Sequence, residues 1–438
     1  MDDRYKGLSS SIPAKAMQLF DHAGLGDCFK RGDSVAIKCH MGEWFNTGYL
    51  RPILIRVIVD KVKELGGRPF VTDTTTAPYY FYGSRSTADL YMETAARNGF
   101  TAETMGCPIV ISDGMYGTDD VRVDIPDGLL LKEGYLARGI ADADALILLS
   151  HFKGHGSGVY GGSIKNLAIG CSSKRGKLNV HLCTHQVVGW NKWSFDGENC
   201  VGEECPNSTV CNNLCPVGAF KITKDRATWD SSKCIGCFGH QRPFFNCDLW
   251  GRERYDEWRN WFLVAMGDAA TGYLRHMGRE HVGYLMYALD LTPACDCVPG
   301  SDRAVVPNLG VFASRDLVAI DVAALDASVK AHGITGSAAE EKGVMEPGQE
   351  KFTAIVGMSQ WITPNTCSRL GAGSKDYELV QPPVSGDESA FSHPLLKPAH
   401  PSGYWLGKAL PGFGGWTPPG GYKYNDAPKV PVEELSKR

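Results

Sequence analysis

Short apolar runs and amphipathic stretches alternate along the first 197 residues. Ser34-Val-Ala-Ile-Lys-Cys39 has the β-branched, apolar character of a buried strand. Pro52 then opens a helix whose Leu54, Ile58, Val62 and Leu65 share one face, and Gly66-Gly67 ends it. Pro69-Phe-Val-Thr-Asp73 reads as the next strand and runs into three threonines. Thr87 suits the cap of a helix carrying Leu90, Met92 and Ala95, which stops at Asn98-Gly99. Residues 107–114 and Ala145-Leu-Ile-Leu-Leu-Ser150 are further apolar runs of strand length. Strands alternating with helices predict an α/β fold, a mostly parallel sheet flanked by helices. Ligands of such sheets bind beyond the carboxyl ends of the strands. That rule directs attention to the loops after Asp73, Asp113 and Ser150.

The same alternation returns after residue 252. Trp258, Trp261, Phe262 and Met266 suit a helix, residues 281–289 and 309–313 suit strands, and residues 317–329 suit a second helix. The stretch between is cysteine-rich and breaks the pattern. The chain therefore divides into a first α/β part (1–197), a ferredoxin-like insertion (198–252), a second α/β part (253–370) and a Pro/Gly/aromatic arm (371–438). Tyr404, Trp405, Phe413, Trp416, Tyr422 and Tyr424 make that arm too apolar for a free linker. It is expected to wrap the body or to join a partner copy in a homo-oligomer.

Composition narrows the classes. A hydrophobic fraction of 43% and a charged fraction of 21% are those of a water-soluble globular protein. A net charge of −4 offers nothing to nucleic acid or to an anionic membrane. No apolar run approaches the ~20 residues that span a bilayer. The first residues lack the apolar segment of a secretory leader. Fifteen cysteines without export point to a reducing compartment, the cytoplasm.

Seven of those cysteines lie between Cys200 and Cys247. Cys211-Asn-Asn-Leu-Cys215-Pro216 has the closing half of a bacterial ferredoxin run, and Cys234-Ile-Gly-Cys237 the opening half of the next. Structural zinc is the rival, since two short pairs separated by 18 residues also describe a zinc ribbon. Pro216 after the fourth cysteine, the small Val-Gly-Ala turn and the additional thiols at Cys200, Cys205 and Cys247 favour iron–sulfur. The spacing departs from the regular C-x2-C-x2-C-x3-C-P. The first run is stretched, while His240 and Phe244 stand at the third and fourth ligand positions of the second. With ligands exchanged between runs, Cys200, Cys205, Cys211 and Cys247 hold one [4Fe-4S] cluster. Cys234, Cys237 and Cys215 hold the other, with His240 or a distant thiolate completing it. A single cluster beside a folded loop is the alternative.

A second concentration of chemistry follows Ser150: His151-Phe-Lys153-Gly-His155, then Gly161-Gly162-Ser-Ile-Lys165-Asn166, then Cys171 and Lys174-Arg175-Gly-Lys177. Glycines admit a ligand to the backbone, and clustered cations suit a small anionic substrate. A solvated basic loop is the plain alternative. Past the later strand lies Thr292-Pro-Ala-Cys295-Asp296-Cys297. Its two thiols are either metal or cofactor ligands or small buried residues.

These motifs together resemble a widespread iron–sulfur protein family of anaerobic bacteria and archaea, described only as a domain of unknown function with a four-iron–four-sulfur centre. The resemblance runs from about Asp33 to Val329. It includes Thr72-Asp73-Thr74, Glu93-Thr-Ala-Ala-Arg97-Asn98-Gly99-Phe100, Ser112-Asp113-Gly114 and the two motifs just named. It implies two four-iron clusters and names no reaction. Over about 20 residues, His151, Gly161, Gly162 and Lys165 are also similar to the cofactor loop of the nickel-pincer lactate racemase fold.

The resulting expectation is an iron–sulfur oxidoreductase of anaerobic metabolism. A ferredoxin-like donor supplies single electrons, and the clusters pass them to a substrate or second cofactor. The acceptor pocket comprises His151, Lys153, His155, Lys165 and Cys171, with Cys295, Asp296, Cys297, Gly161 and Gly162 binding a further metal or organic cofactor. Proton transfer falls to His151 or His155 and anion binding to Lys165. A non-catalytic electron carrier or maturation factor is the first alternative, and a redox-neutral isomerase the second. No GxGxxG follows the first strand, so no dinucleotide is indicated. Protein prepared anaerobically is expected to hold about eight irons per chain, four for each cubane. About four irons would leave one cluster, and stoichiometric zinc without sulfide would leave none.

Overall fold

The computed structural model describes residues 4, 7–77, 84–188, 195–215, 217–233 and 253–384. Twelve strands are defined there: β1 (Ser34–Lys38), β2 (Arg68–Asp73), β3 (Ile109–Ile111), β4 (Asp120–Asp124), β5 (Glu133–Ala137), β6 (Ala145–His151), β7 (Lys153–His155), β8 (Val159–Gly161), β9 (Phe220–Ile222), β10 (Ala227–Trp229), β11 (Val282–Ala288) and β12 (Gly310–Ser314). Six of them form one sheet in the order β12-β11-β6-β1-β2-β3. Every neighbouring pair is parallel except β11 with β12. The predicted α/β architecture is therefore present, with an antiparallel strand at one edge.

The interior strands look as their position requires. All seven residues of β6 and all seven of β11 are buried, because a parallel strand covered on both faces has no polar side to show. The helix Pro52–Glu64 buries Leu54, Ile58 and Val62 as its spacing predicts. Leu65 falls just beyond its end and is exposed. The long helix Glu253–Met277 sends Phe262, Met266, Ala269, Tyr273 and Leu274 into the main core, where Leu146, Leu148, Tyr284 and Met286 meet them. Each large side chain so buried contributes about 1.5–3 kcal/mol.

The order of the sheet fixes where a ligand fits. The chain winds from β1 outward through β2 to β3, then returns to lay β6 and β11 on the other side of β1. Crossovers thus diverge between β1 and β6, leaving a crevice above their carboxyl ends.

Three features depart from the sequence pattern. The hairpin β4–β5 has no counterpart in it. The basic segment after Ser150 is no open loop: it folds as the hairpin β7–β8 and the helices Ser163–Ala168 and Lys174–Val188. In the cysteine-rich insertion, the hairpin β9–β10 carries a small core of Cys200, Phe220, Ile222 and Ala227, with Cys211 and Cys215 packed against it. Cys234, Cys237, His240 and Cys247 lie outside the described residues, as does the arm from residue 385. The first part of the arm lies on the body, where Tyr377 donates to Asp326 at 2.7 Å. Among the described residues no helix is long and apolar enough to cross a membrane.

Asp268, buried on the long helix, accepts hydrogen bonds from the amides of Leu129, Leu130 and Leu131 at 2.7–2.9 Å. Asp268→Ala strands these donors and is expected to cost about 3 kcal/mol. Urea unfolding measures it, and an unchanged midpoint would show that this carboxylate does not hold the loop to the helix.

Candidate functional site

A cavity of about 110 Å³ opens at the crevice between β1 and β6. Lys38 and His40 reach it from the end of β1, Asp73 and Thr74 from β2, and His151, Lys153 and His155 from β6 and β7. Gly161, Gly162 and Lys165 close one side, and Cys295 and Cys297 arrive from the turn after β11. At ~15 Å³ of such space per water, it holds on the order of seven small atoms or waters.

Asp296 anchors the cysteine turn. Its carboxylate, 1% exposed, faces His151 Nδ1 at 2.9 Å and Lys153 Nζ at 2.9 Å. Burial alone would raise its pKa, but these two partners hold the carboxyl far below the usual range. His151 Nε2 faces the carbonyl oxygen of Leu289 at 2.6 Å. Both nitrogens of His151 are thus committed to acceptors, and the ring braces the turn. Residue 154 must be glycine: a Cβ there would stand 2.3 Å from the Pro293 carbonyl oxygen. At Gly162 a Cβ would meet the carboxylate of Asp321 at 2.7 Å. That carboxylate accepts from the amides of Ser163 and Ile164 and from the Tyr160 hydroxyl, so it fixes the start of the Lys165 helix.

On the cavity side, His155 Nε2 and the sulfurs of Cys295 and Cys297 lie within 4.8 Å of one another. The thiols are strongly differentiated. The Cys297 S–H, then the Lys165 and Lys153 ammonium groups, pull the Cys295 thiol well below its ordinary value against the opposing effect of burial. Lys165 Nζ stands 3.7 Å from Cys295 Sγ. The Cys297 thiol is pushed up by the neighbouring Cys295 and by burial. Two sulfurs and an imidazole suit a borderline-soft metal, which binds sulfur at about 2.3 Å and nitrogen at about 2.0 Å. His155 Nδ1 accepts from the amides of Ser157 (3.2 Å) and Gly158 (2.7 Å). The neutral ring so held keeps its proton on Nε2, 4.0 Å from Cys297 Sγ. A metal at Nε2 takes that proton's place, and the 157–158 turn then has to release Nδ1.

The opposite wall is built on a second buried ion pair. Asp73 receives Lys38 Nζ at 2.7 Å, the amide of Thr74 at 2.8 Å and the Tyr91 hydroxyl. Burial would raise this carboxyl, but the Lys38 charge, with the hydrogen bonds from Lys38 and Tyr91, holds it at about 2. Arg85 pairs with the buried Glu43 at 3.0 Å and donates to the Cys297 carbonyl at 3.3 Å. Lys177 donates to Thr74 Oγ1 at 2.5 Å and to the Ser172 carbonyl. Among the described residues, neither Lys165 nor Lys177 has a carboxylate in ion-pair contact.

Of the residues expected from the sequence, His151, Lys153, His155, Lys165, Gly161, Gly162, Cys295 and Cys297 gather at this cavity, with Asp296 directly behind. Cys171 instead packs in the main core, and burial pushes its thiol up to about 12. Lys38, His40, Arg85 and Asp321 escaped the sequence reading. The carboxyl-edge rule applied to the first strand, as well as to later ones, points to Lys38 and His40. In the insertion, Cys200 Sγ accepts from the Gly202 amide at 3.3 Å and Cys215 Sγ from the Ala219 amide at 3.0 Å. Cys205 is partly exposed. Backbone N–H donors to sulfur and an apolar surround are features that tune iron–sulfur clusters.

Residues 35–326 match the family model described as Domain of unknown function (DUF362), and the chain belongs to that family. No curated protein matches. Among solved structures, the lactate racemase apoprotein from Thermoanaerobacterium thermosaccharolyticum is 11% identical with a TM-score of 0.34, over 69% of this chain and 51% of that one. A structural-genomics protein from Thermotoga maritima is 9% identical with a TM-score of 0.32, over 84% and 61%. This chain thus spans about half the length of the racemase match.

Burial, beside Lys174 and Lys38, lowers the pKa of Lys177 to about 7, with Asp113 and Asp73 opposing. Between pH 7 and the ordinary lysine value, the unfolded chain therefore binds a proton that the folded chain does not. Stability attributable to this group rises with pH across that window and levels off above it. Wild type is expected to gain a few kcal/mol over Lys177→Met between pH 7 and pH 10. Parallel denaturation curves for the two at both pH values would remove the effect.

Proposed function

We propose that the protein is an iron–sulfur oxidoreductase acting on a small anionic substrate in the cavity at the β1–β6 crevice. The observation that carries this reading is the lysine-lined cavity with a Cys-x-Cys pair and a histidine on one wall. An electron carrier needs an exposed cluster edge and has no use for such a chamber. One cluster held by Cys200, Cys205, Cys211 and Cys247, and another by Cys215, Cys234 and Cys237 with His240 or a distant thiolate, would supply low-potential single electrons from a ferredoxin-like donor. A metal held by Cys295, Cys297 and His155 would supply a site for electron transfer or Lewis-acid activation.

The chain's own groups divide the remaining work. Lys165 offsets negative charge at Cys295 and beside it. Lys153 and His151 keep Asp296 ionised and so hold both thiols toward the cavity. Without a metal, His155 presents the proton on Nε2 toward the thiols, 4.0 Å from Cys297 Sγ; with one, Nε2 would be a ligand instead. His151 has both nitrogens engaged and serves to position the turn.

Two measurements test the proposal. Cobalt(II) added to anaerobic protein is expected to give a thiolate-to-metal charge-transfer band that Cys295→Ser and Cys297→Ser each weaken strongly. Lys165→Ala is expected to keep its iron and fold but to slow reoxidation of the dithionite-reduced protein by its substrate roughly 10²-fold, the scale of losing a preorganised charge. Unaltered turnover in Lys165→Ala, or loss of its iron, would favour the carrier reading instead.

A further inference from the structure

A donor buried in the cavity wall is left unused by the roles above. His40 lies two residues beyond the end of β1 and lines the chamber. Its Nδ1 accepts the amide N–H of Gly42 at 2.9 Å. An atom that accepts from an amide carries no proton, so the neutral ring carries its proton on Nε2. With Nδ1 turned back toward its own backbone, Nε2 is the far end of the ring. That atom is buried and has no hydrogen-bond partner among the described residues.

A buried N–H without an acceptor costs about 1–3 kcal/mol and calls for an explanation. The nearby carboxylates do not provide one. Asp73 is occupied by Lys38, Thr74 and Tyr91, and Asp296 by His151 and Lys153. Nor does the ring gain a charge to compensate: burial, with Arg85 beside it, holds its pKa well below the ordinary histidine value. The donor is a neutral, fixed N–H in a chamber that also contains two lysines without carboxylate partners. What completes it is an acceptor oxygen bearing negative charge, on a molecule small enough for about 110 Å³.

We infer that His40 donates from Nε2 to an oxygen of a small carboxylate bound in this cavity, with Lys177, protonated as the anion binds, as the countercharge. The inference rests on the cavity being a substrate site and assigns the class of that substrate and a residue that touches it. A neutral imidazole suits this task. It stabilises an oxyanion without surrendering a proton, whereas an imidazolium would compete to protonate it.

Malonate, seven non-hydrogen atoms with a carboxylate at either end, is the probe, and neutral malonamide is its control. Calorimetric titration of the full chain, purified anaerobically, is expected to show malonate binding and no malonamide binding. His40→Phe is expected to weaken malonate at least tenfold, while His40→Gln, which returns an N–H near the same position, stays within about threefold of wild type. On wild type, the ¹⁵N-histidine signal of the His40 Nε2–H is expected to shift on saturation, a readout that does not depend on a variant folding. Absence of malonate binding to wild type, equal binding by His40→Phe, equal binding of malonamide, or an unmoved Nε2–H signal would each overturn the inference. The cobalt band at Cys295 and Cys297 is measured on the same samples. If it persists while malonate fails, the substrate assignment falls and the metal-centred reading stands; if it is absent while malonate binds through His40, the reverse holds.

Discussion

The site depends on one buried carboxylate. Asp296 sits in the turn after β11, buried from water that could match its charge, and it is met by His151 from β6 and Lys153 from β7. Removing a partner from such a group typically costs 3–5 kcal/mol, because the charge left behind cannot reach water. The turn after β11 is therefore held to β6 and to the hairpin β7–β8. Asp296 and Cys297 are the central residues of a tight turn closed by the Val298 amide on the Cys295 carbonyl at 3.2 Å, and with Asp296 held by His151 and Lys153, Cys295 and Cys297 both line the cavity. A Cys-Asp-Cys sequence thus becomes a pair of thiols on one wall.

The same device recurs one strand away. Lys38 at the end of β1 and Asp73 at the end of β2 form a buried pair, with Asn166 accepting from Lys38 at 2.9 Å. At this edge Asp73 and Asp296 are each matched by a lysine, while Asp113 beyond β3 accepts from the amide and hydroxyl of Thr75. Two ion pairs of this kind add no net charge. What remains at the chamber wall is Lys165, set against the Cys295 sulfur, and Lys177, which donates to Thr74.

Much of this was legible in the sequence, and the parts that were not share a cause. Strand–helix alternation specified the parallel sheet, since a buried strand has to be apolar throughout. The carboxyl-edge rule led to the loop after Ser150 and to Cys295-Asp296-Cys297. Local pattern could not show that His151 would spend both nitrogens on Asp296 and Leu289, because those partners are 145 and 138 residues away. Distance in sequence also hid Asp321, which secures the amides of Ser163 and Ile164 from 158 and 157 residues away. Glycine density suggested an open loop, whereas Gly154 and Gly162 are there to let a carbonyl and a carboxylate come close. His40 carries no motif of its own. Its meaning lies in an unpaired nitrogen, which only the fold exposes.

The two sets of cysteines are supported in physically different ways, and this bears on their division of labour. In the insertion, Cys200 and Cys215 receive backbone N–H groups within a small apolar core. Fixed peptide dipoles suit sulfurs whose charge is permanent and shared, as in a cluster that changes by one electron at a time. At the cavity, Cys295 receives the Cys297 amide at 3.3 Å and also an ammonium group on a flexible four-carbon stem. Lys165 can move with its charge, following an anion that arrives or departs, which a peptide dipole cannot do. A thiol pair in which one member is biased toward thiolate and the other against it is likewise suited to change. Protons must leave it before a metal binds and return when the metal goes. The two sets of thiols thus sit in different electrostatic environments, fixed dipoles in the insertion and a mobile cation at the sheet edge.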